Sequence, residues 1–364
     1  MEKNKSTDTG GKRLFALDLL RGLDIFALTV LMRLYWAANR TFELPQWLKV
    51  QFSHVWATPG LVDFAQPLFL FVCGAAVPFA VPKRLSADGR ATARYWKHVA
   101  YRVAMLWVSG MIIQGQLLSF DISKMHPYNN TLQTIAVGYL AAALTMLVRS
   151  AAVRIAVPVA LAAVYGGSLW ICGDWTAEGN LARLVDERVF AAIGCRAKSF
   201  TYVATSLVWA AIGIAGMHAA LILKSERGQW AKVKILSATG VALCVAGAAV
   251  LPWVPPIRHI YSLSFSLIST GLSFLLLAFL YVVTDIKGHR SHWGYFLLFG
   301  EFAFLSWWLH TFFGPALLKT AELCLTGVPH LMGTDRYMPL INELGLVAVF
   351  AGVLYVRKII NKYR

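Results

Sequence analysis

Apolar runs of close to twenty residues recur along almost the whole chain, and few charges separate them. Hydrophobic residues make up 58% of the 364 positions and charged residues 14%, where a soluble domain carries about 25% charged residues. A hydrocarbon layer about 30 Å thick takes roughly 20 apolar residues per helix. Backbone polar groups in lipid must be satisfied within the segment, which leaves helices as the economical solution for such runs. The expected fold class is therefore all-α, a polytopic bundle embedded in a bilayer.

Ten spans are expected, near residues 14–36, 61–82, 98–118, 132–148, 152–171, 201–223, 235–252, 263–284, 294–315 and 339–356. The net charge of +16 would suit a nucleic acid, but its placement points elsewhere. With both termini cytoplasmic, inner segments hold 21 of the 34 Lys and Arg and outer loops hold 10, leaving Arg21, Arg33 and Arg102 in or beside spans. Basic residues gathered on one side signal orientation, here N-in and C-in. The expected layout is a cytoplasmic tail over 1–13, a membrane domain over 14–356 and a second cytoplasmic tail over 357–364. Residues 313–338 fit either a short outer helix or part of a re-entrant segment. Residues 1–12 are polar and lack a small-residue cleavage site, so no cleavable signal peptide is expected. Cys172 and Cys195 bracket an outer loop and are candidates for a disulfide in an oxidising compartment. No cysteine or histidine spacing resembles a metal site.

Polar residues within spans are costly and usually face a bundle interior or an aqueous cavity. The first span carries Asp18, Arg21 and Asp24 at intervals of three, so Asp18 and Arg21 share a helix face. They read either as a charge pair near the inner boundary or as a receptor for an anionic ligand's phosphates, with Gly22 allowing close approach. On the outer side, His54 stands in a polar-aromatic loop and Asp63 opens the next apolar run after Pro59 and Gly60. A carboxylate there is stabilised by the helix dipole, so capping is one account of Asp63. The other is that it orients the ring of a general base. The residues alone name no reaction.

"RLFALDLLRGLDIF" followed by "FSHVWATPGLVDFAQPLFLFVCGAAVPFA" resembles the membrane acetyltransferases related to heparan-α-glucosaminide N-acetyltransferase, especially their bacterial relatives. The residues carrying it are Arg13, Leu14, Leu17, Asp18, Arg21 and Gly22, then His54, then Asp63, Pro67, Phe69, Phe71 and Gly74. Trp56 follows His54 by two residues rather than the family's three. "NNTLQTIAVGYLAAAL" is similar to the family's Leu-Gln-Arg-Ile segment, with Leu132 and Gln133 kept and Thr134 replacing the arginine. "PIRHIYSLSFSLISTGLSFLLLAFLYVVTD" resembles its Trp-Ser/Thr-x-Ser-Phe helix through Tyr261, Ser262, Ser264, Phe265 and Asp285. "LLFGEFAFLSWWLH" keeps Phe299 and Gly300 of a Phe-Gly-x-Asn-Ser motif but has Phe302 at the asparagine. Met32 replaces a further family asparagine. The likeness spans residues 13 to about 310.

The resemblance implies transfer of an acetyl group from cytoplasmic acetyl-CoA to the amine of a glucosamine-type sugar across a bacterial inner membrane. It makes His54 the general base with Asp63 beside it, and Arg21, Asp18 and Gly22 the acetyl-CoA-binding residues. Asn130, Gln133, Ser262 and Ser264 become candidate contacts to the acceptor. No metal is called for. The expected partners are the lipid bilayer and a small-molecule or glycan acceptor, with a homodimer left open and no nucleic acid. Direct attack and relay through an acetylated His54 both remain open. A transporter of amino sugars and an O-acetyltransferase of a cell-envelope glycan are the alternative functions.

Overall fold

A computed structural model describes residues 14–81, 84–128, 130–195 and 201–362. The expected tail over 1–13, with Arg13 of the family motif, lies outside the described residues, as do Lys83, Arg196 and Lys198 of the charge count. The chain is all-α. In order it forms α1 (Phe15–Phe26), a π-helical turn (Ala27–Leu31), α2 (Met32–Phe42), α3 (Gln46–Gln51), and a two-stranded hairpin of β1 (His54–Val55) and β2 (Thr58–Pro59). A 3-10 turn over Leu61–Phe64 leads into α4 (Ala65–Ala80), followed by α5 (Ala93–Ile113), α6 (Thr131–Met146), α7 (Ala151–Cys172) and α8 (Leu181–Ala192). Then come α9 (Ser206–Lys224), α10 (Gln229–Val250), α11 (Leu263–Tyr281), α12 (Gly294–Glu301), α13 (Ala303–Trp308), α14 (Gly314–Cys324), α15 (Val328–Met332) and α16 (Met338–Lys362).

Among the described residues, six helices are long and apolar enough to cross a membrane: Leu61–Ala80, Ala151–Cys172, Ser206–Lys224, Gln229–Val250, Leu263–Ile286 and Met338–Asn361. Every one of the ten expected spans contains helix, but four depart from a simple apolar crossing. The first is helical throughout from Phe15 to Phe42 but carries Asp18, Arg21, Asp24 and Arg33. That over 98–118 falls on α5, which begins earlier and includes Arg94, Lys97 and Arg102. The helix over 132–148 has only 16 residues. The ninth, expected as one span over 294–315, is two helices bent by 70° between Glu301 and Ala303. Phe302 leaves helical geometry there, with φ −112° and ψ 36°, and no proline announces the break. The last helix runs on to Lys362, so the tail expected from 357 is largely helical.

Helices α4, α6 and α9 form the centre, and small residues make that possible. A Cβ on Gly74 would lie 1.8 Å from the Gly213 carbonyl oxygen, and one on Gly216 1.9 Å from that of Phe71. Backbones in such contact gain dispersion and exclude lipid, as small residues commonly do between membrane helices. Trp209 of α9 and Phe71 of α4 are fully buried in this core. By contrast α7 and α10 keep long exposed rows, including Ile155, Val159 and Val164 on one and Val241 and Val245 on the other. Unpaired apolar rows of that extent suit contact with acyl chains. The first helix borrows its cap. Leu14 offers no capping side chain, and the Asp285 carboxylate, 269 residues away, accepts the Ala16 N–H at 2.8 Å.

Candidate functional site

The hairpin aligns His54 with Pro59 and Val55 with Thr58, turning the chain back on itself just before α4. Gly60 follows, in a crevice where a Cβ would meet the Gln51 and Val50 carbonyl oxygens at 2.6 Å. This fixes the start of the 3-10 turn. Asp63, whose side chain is fully buried, accepts the Gly60 N–H on Oδ2 at 2.8 Å and faces His54 Nδ1 with Oδ1 at 2.5 Å. One carboxylate therefore does both things foreseen for it. It caps the turn and holds the imidazole. An ionised carboxylate only accepts hydrogen bonds, so this contact puts the ring proton on Nδ1 and leaves Nε2 as the basic nitrogen. The His54 side chain is 40% exposed.

Two residues from the segment between α10 and α11 complete the cluster, and sequence reasoning had treated neither as part of a site. Arg258, 6% exposed, has Nε 3.7 Å from Asp63 Oδ1 and donates from Nη2 to Gln66 Oε1 at 3.0 Å. Gln66 in turn donates to Thr134 Oγ1 at 3.4 Å. His259 stacks on Trp56, with ring centroids 5.0 Å apart and planes 20° from parallel. Burial, and secondarily the Arg258 charge, push the His259 imidazole down to about 4 against the pull of Asp63. It is therefore neutral near neutral pH. Trp56 is further tied by its indole N–H to the Trp175 carbonyl at 2.8 Å. The Arg258 segment is held by a tight loop: Ser262 N–H donates to the Ile257 carbonyl, Ile257 N–H to Ser262 Oγ, and Tyr261 sits at φ 47°. A left-handed tyrosine is a rare conformation, and here the buried ring packs edge-on to Trp209. The signal available in the sequence was an arginine and a histidine in the loop directly before Tyr261 and Ser262.

The proposed acceptor contacts are occupied otherwise. Asn130 and Gln133, each 1% exposed, form a reciprocal capping box at the start of α6. Asn130 Oδ1 accepts the Leu132 N–H and Gln133 Oε1 accepts the Asn130 N–H. The Gln133 amide also donates to the Pro127 carbonyl, and that of Asn130 to Gln114. Ser262 and Ser264 are fully buried and bonded to each other at 3.2 Å. Their position beside Arg258 supports the walls of the cluster rather than an open surface.

On the other side of the bundle, Arg21 donates to Asp18 Oδ1 at 3.1 Å, as the shared face foretold. Arg21 also lines a cavity of about 340 Å³ together with His98, Arg102, Cys73, Thr131 and Trp307. Gly22 plays a different part from the one expected. A Cβ there would lie 2.0 Å from the Phe296 carbonyl oxygen, so the close approach it permits is that of α12. Asp24 is 2% exposed, and neither carboxylate oxygen has a hydrogen-bond partner among the described residues. Cys172 and Cys195 are unpaired thiols. Among the described residues, no three His, Cys, Asp or Glu side chains gather as a metal site would require. The chain matches no family model, and no curated protein matches it in sequence.

Proposed function

We propose that this protein is a transmembrane acetyltransferase of the kind its motifs resemble, with ten crossings, both termini cytoplasmic, in a bacterial inner membrane. The observation that carries the reading is the His54–Asp63 pair at 2.5 Å, set on a hairpin beside an apolar bundle. Acetyl-CoA would present its thioester from the cavity that Arg21 and Arg102 line, with the guanidinium groups toward its phosphates. A space of about 340 Å³ is at the small end for ligand sites, and suits the pantetheine arm with the nucleotide remaining at the inner surface. The glucosamine nitrogen attacks the thioester carbonyl and Nε2 of His54 takes its proton. The C–S bond breaks, the proton passes to the leaving thiolate, and the sugar retains the amide. Asp63 stabilises the imidazolium that forms in between. We favour direct attack over an acetylated His54, because one imidazole can act as base without a second group to activate it as a nucleophile.

Purified protein in detergent, given acetyl-CoA and glucosamine, is expected to yield N-acetylglucosamine, and His54→Ala to abolish this while the fold and CoA binding persist. Near-normal turnover by H54A would sink the assignment. An O-acetylated product would move the reading to the envelope-glycan alternative. A transporter of amino sugars is the second reading, and two observations favour it. The helix broken by 70° near Phe302 resembles the discontinuous helices of transporters, and Asp24 is a buried membrane carboxylate without a bonded partner among the described residues. A pure transporter would form no acetylated product once the membrane is dissolved.

A further inference from the structure

A buried cation beside a catalytic acid–base pair has consequences for both members. Arg258 and His54 approach the same oxygen of Asp63, from 3.7 and 2.5 Å, so guanidinium and imidazole lie within about 6 Å of each other, where like charges interact appreciably even at an effective dielectric of about 20. The other hand of Arg258 grips Gln66 on α4, and Gln66 reaches Thr134 on α6. Thr131, Leu132 and Ile135 of that same α6 line the cavity that also holds Arg21. A polar chain thus runs from α6 to the imidazole: Thr134, Gln66, Arg258, Asp63, His54.

We propose that Arg258 is a positioning residue for the base: it shares Oδ1 of Asp63 with His54 and sets a fixed positive charge against the attraction that this carboxylate exerts on a ring proton. The inference rests on His54 being the base of the proposed reaction. Its physical content is an opposition of charges. Asp63 alone would present an uncompensated negative charge to the ring. Arg258 offsets that pull, and its second contact with Gln66 keeps the carboxylate in one orientation. Among the described residues, the charged and titratable groups that meet His54 or its carboxylate partner are Asp63, Arg258 and His259. Of these His259, pushed down to about 4 by burial, is uncharged near neutral pH, which leaves the other two to set the balance. Glutamine at 258 removes the charge and lysine keeps it while losing the two-pronged grip.

The test reads the ring itself. Diethylpyrocarbonate reacts with neutral imidazole, so the rate of His54 carbethoxylation against pH, followed by mass spectrometry of the full-length protein in detergent, gives a protonation midpoint without any acetyl transfer. Arg258→Gln is expected to raise that midpoint by about half to one pH unit and Asp63→Asn to lower it by a similar amount, because each removes one of two opposed neighbours. Arg258→Lys should stay within about 0.2 unit of wild type while its kcat falls. An R258Q midpoint equal to wild type, with D63N displaced, overturns the proposal and leaves Arg258 as packing. Should R258Q fail to fold, the double variant D63N/R258Q carries no unmatched charge and replaces it. A midpoint above that of D63N supports the proposal, and an identical one overturns it. If the midpoints move as expected but wild type forms no acetylated sugar, the assigned reaction fails and the charge balance stands.

Discussion

Asp63→Asn separates capping from catalysis more cleanly than any other single change. Asparagine caps a helix start about as well as aspartate, and its amide oxygen can keep the Gly60 N–H now bonded at 2.8 Å. The amide NH2 is then turned toward His54 and Arg258, where the wild-type carboxylate accepts from one and faces the charge of the other. A donor opposite Nδ1 requires Nδ1 to accept, which moves the ring proton to Nε2 and takes away the base. The corresponding tautomer inversion in a Ser-His-Asp triad lowers kcat by about 10⁴. The expected loss here is about 10² to 10⁴, with the residual activity's acidic limb displaced to lower pH. Arg258 retains Gln66 but loses its counter-charge, so a modest destabilisation of about 1–3 kcal/mol should accompany it. The assay is kcat on purified protein with acetyl-CoA and glucosamine from pH 5 to 9, alongside thermal melting. A D63N enzyme within twofold of wild type at every pH would refute the reasoning, since a pure cap survives the exchange.

Arg33 binds Glu343 of α16 through two contacts at 2.8 and 3.0 Å, with the Glu343 side chain 4% exposed. Arg33→Ala should therefore cost about 3–5 kcal/mol in detergent unfolding, while R33M/E343L recovers most of it. Arg21→Ala should raise the apparent KM for acetyl-CoA about tenfold and leave that for the sugar unchanged; if neutralising Asp18 as well restores activity, Arg21 only served the ion pair. Asp186 of α8 lies outside the apolar spans and its carboxyl is pushed up to about 7 by burial, against a bond accepted from the Val203 N–H. Between about pH 4 and 7 the folded protein holds a proton that the unfolded chain lacks. Stability from this group is present below about pH 4 and lost as pH rises through 7. Asp186→Asn keeps the Val203 bond without the charge, so its Tm should exceed wild type by about 2 °C or more at pH 8, and the gap should close as pH falls to about 4.

Helix was legible in the sequence because apolar runs in lipid leave the backbone few alternatives. The expected spans at 61–82 and 263–284 fall on Leu61–Ala80 and Leu263–Ile286. The break at Phe302 was not legible, since no proline marks it and the residues on either side are good helix formers. The site divides in the same way. His54 and Asp63 are nine residues apart, near enough for both to be noticed, but their contact depends on a hairpin whose turn carries none of the usual glycine or asparagine signals. Arg258 reaches Gln66 across 192 residues, and no local pattern reports such a meeting.

Two signals that were present went unused, and both are physical. Asn130 followed three residues later by Gln133 has the spacing of a capping box, and the structure shows the amides doing that task. Their likeness to a family motif directed attention to a ligand instead. The second signal is scarcity. In a chain with so few charges, an arginine within or beside a span needs a partner. Asking for one at each position leads from Arg21 to Asp18, from Arg33 to Glu343 and from Arg102 to the face of Tyr139 at 4.5 Å. The same question put to Arg258 has only acids on the outer side or within the spans to choose from. Of these Asp63 stands beside the candidate base, and that pairing is the one that brings the arginine into the site.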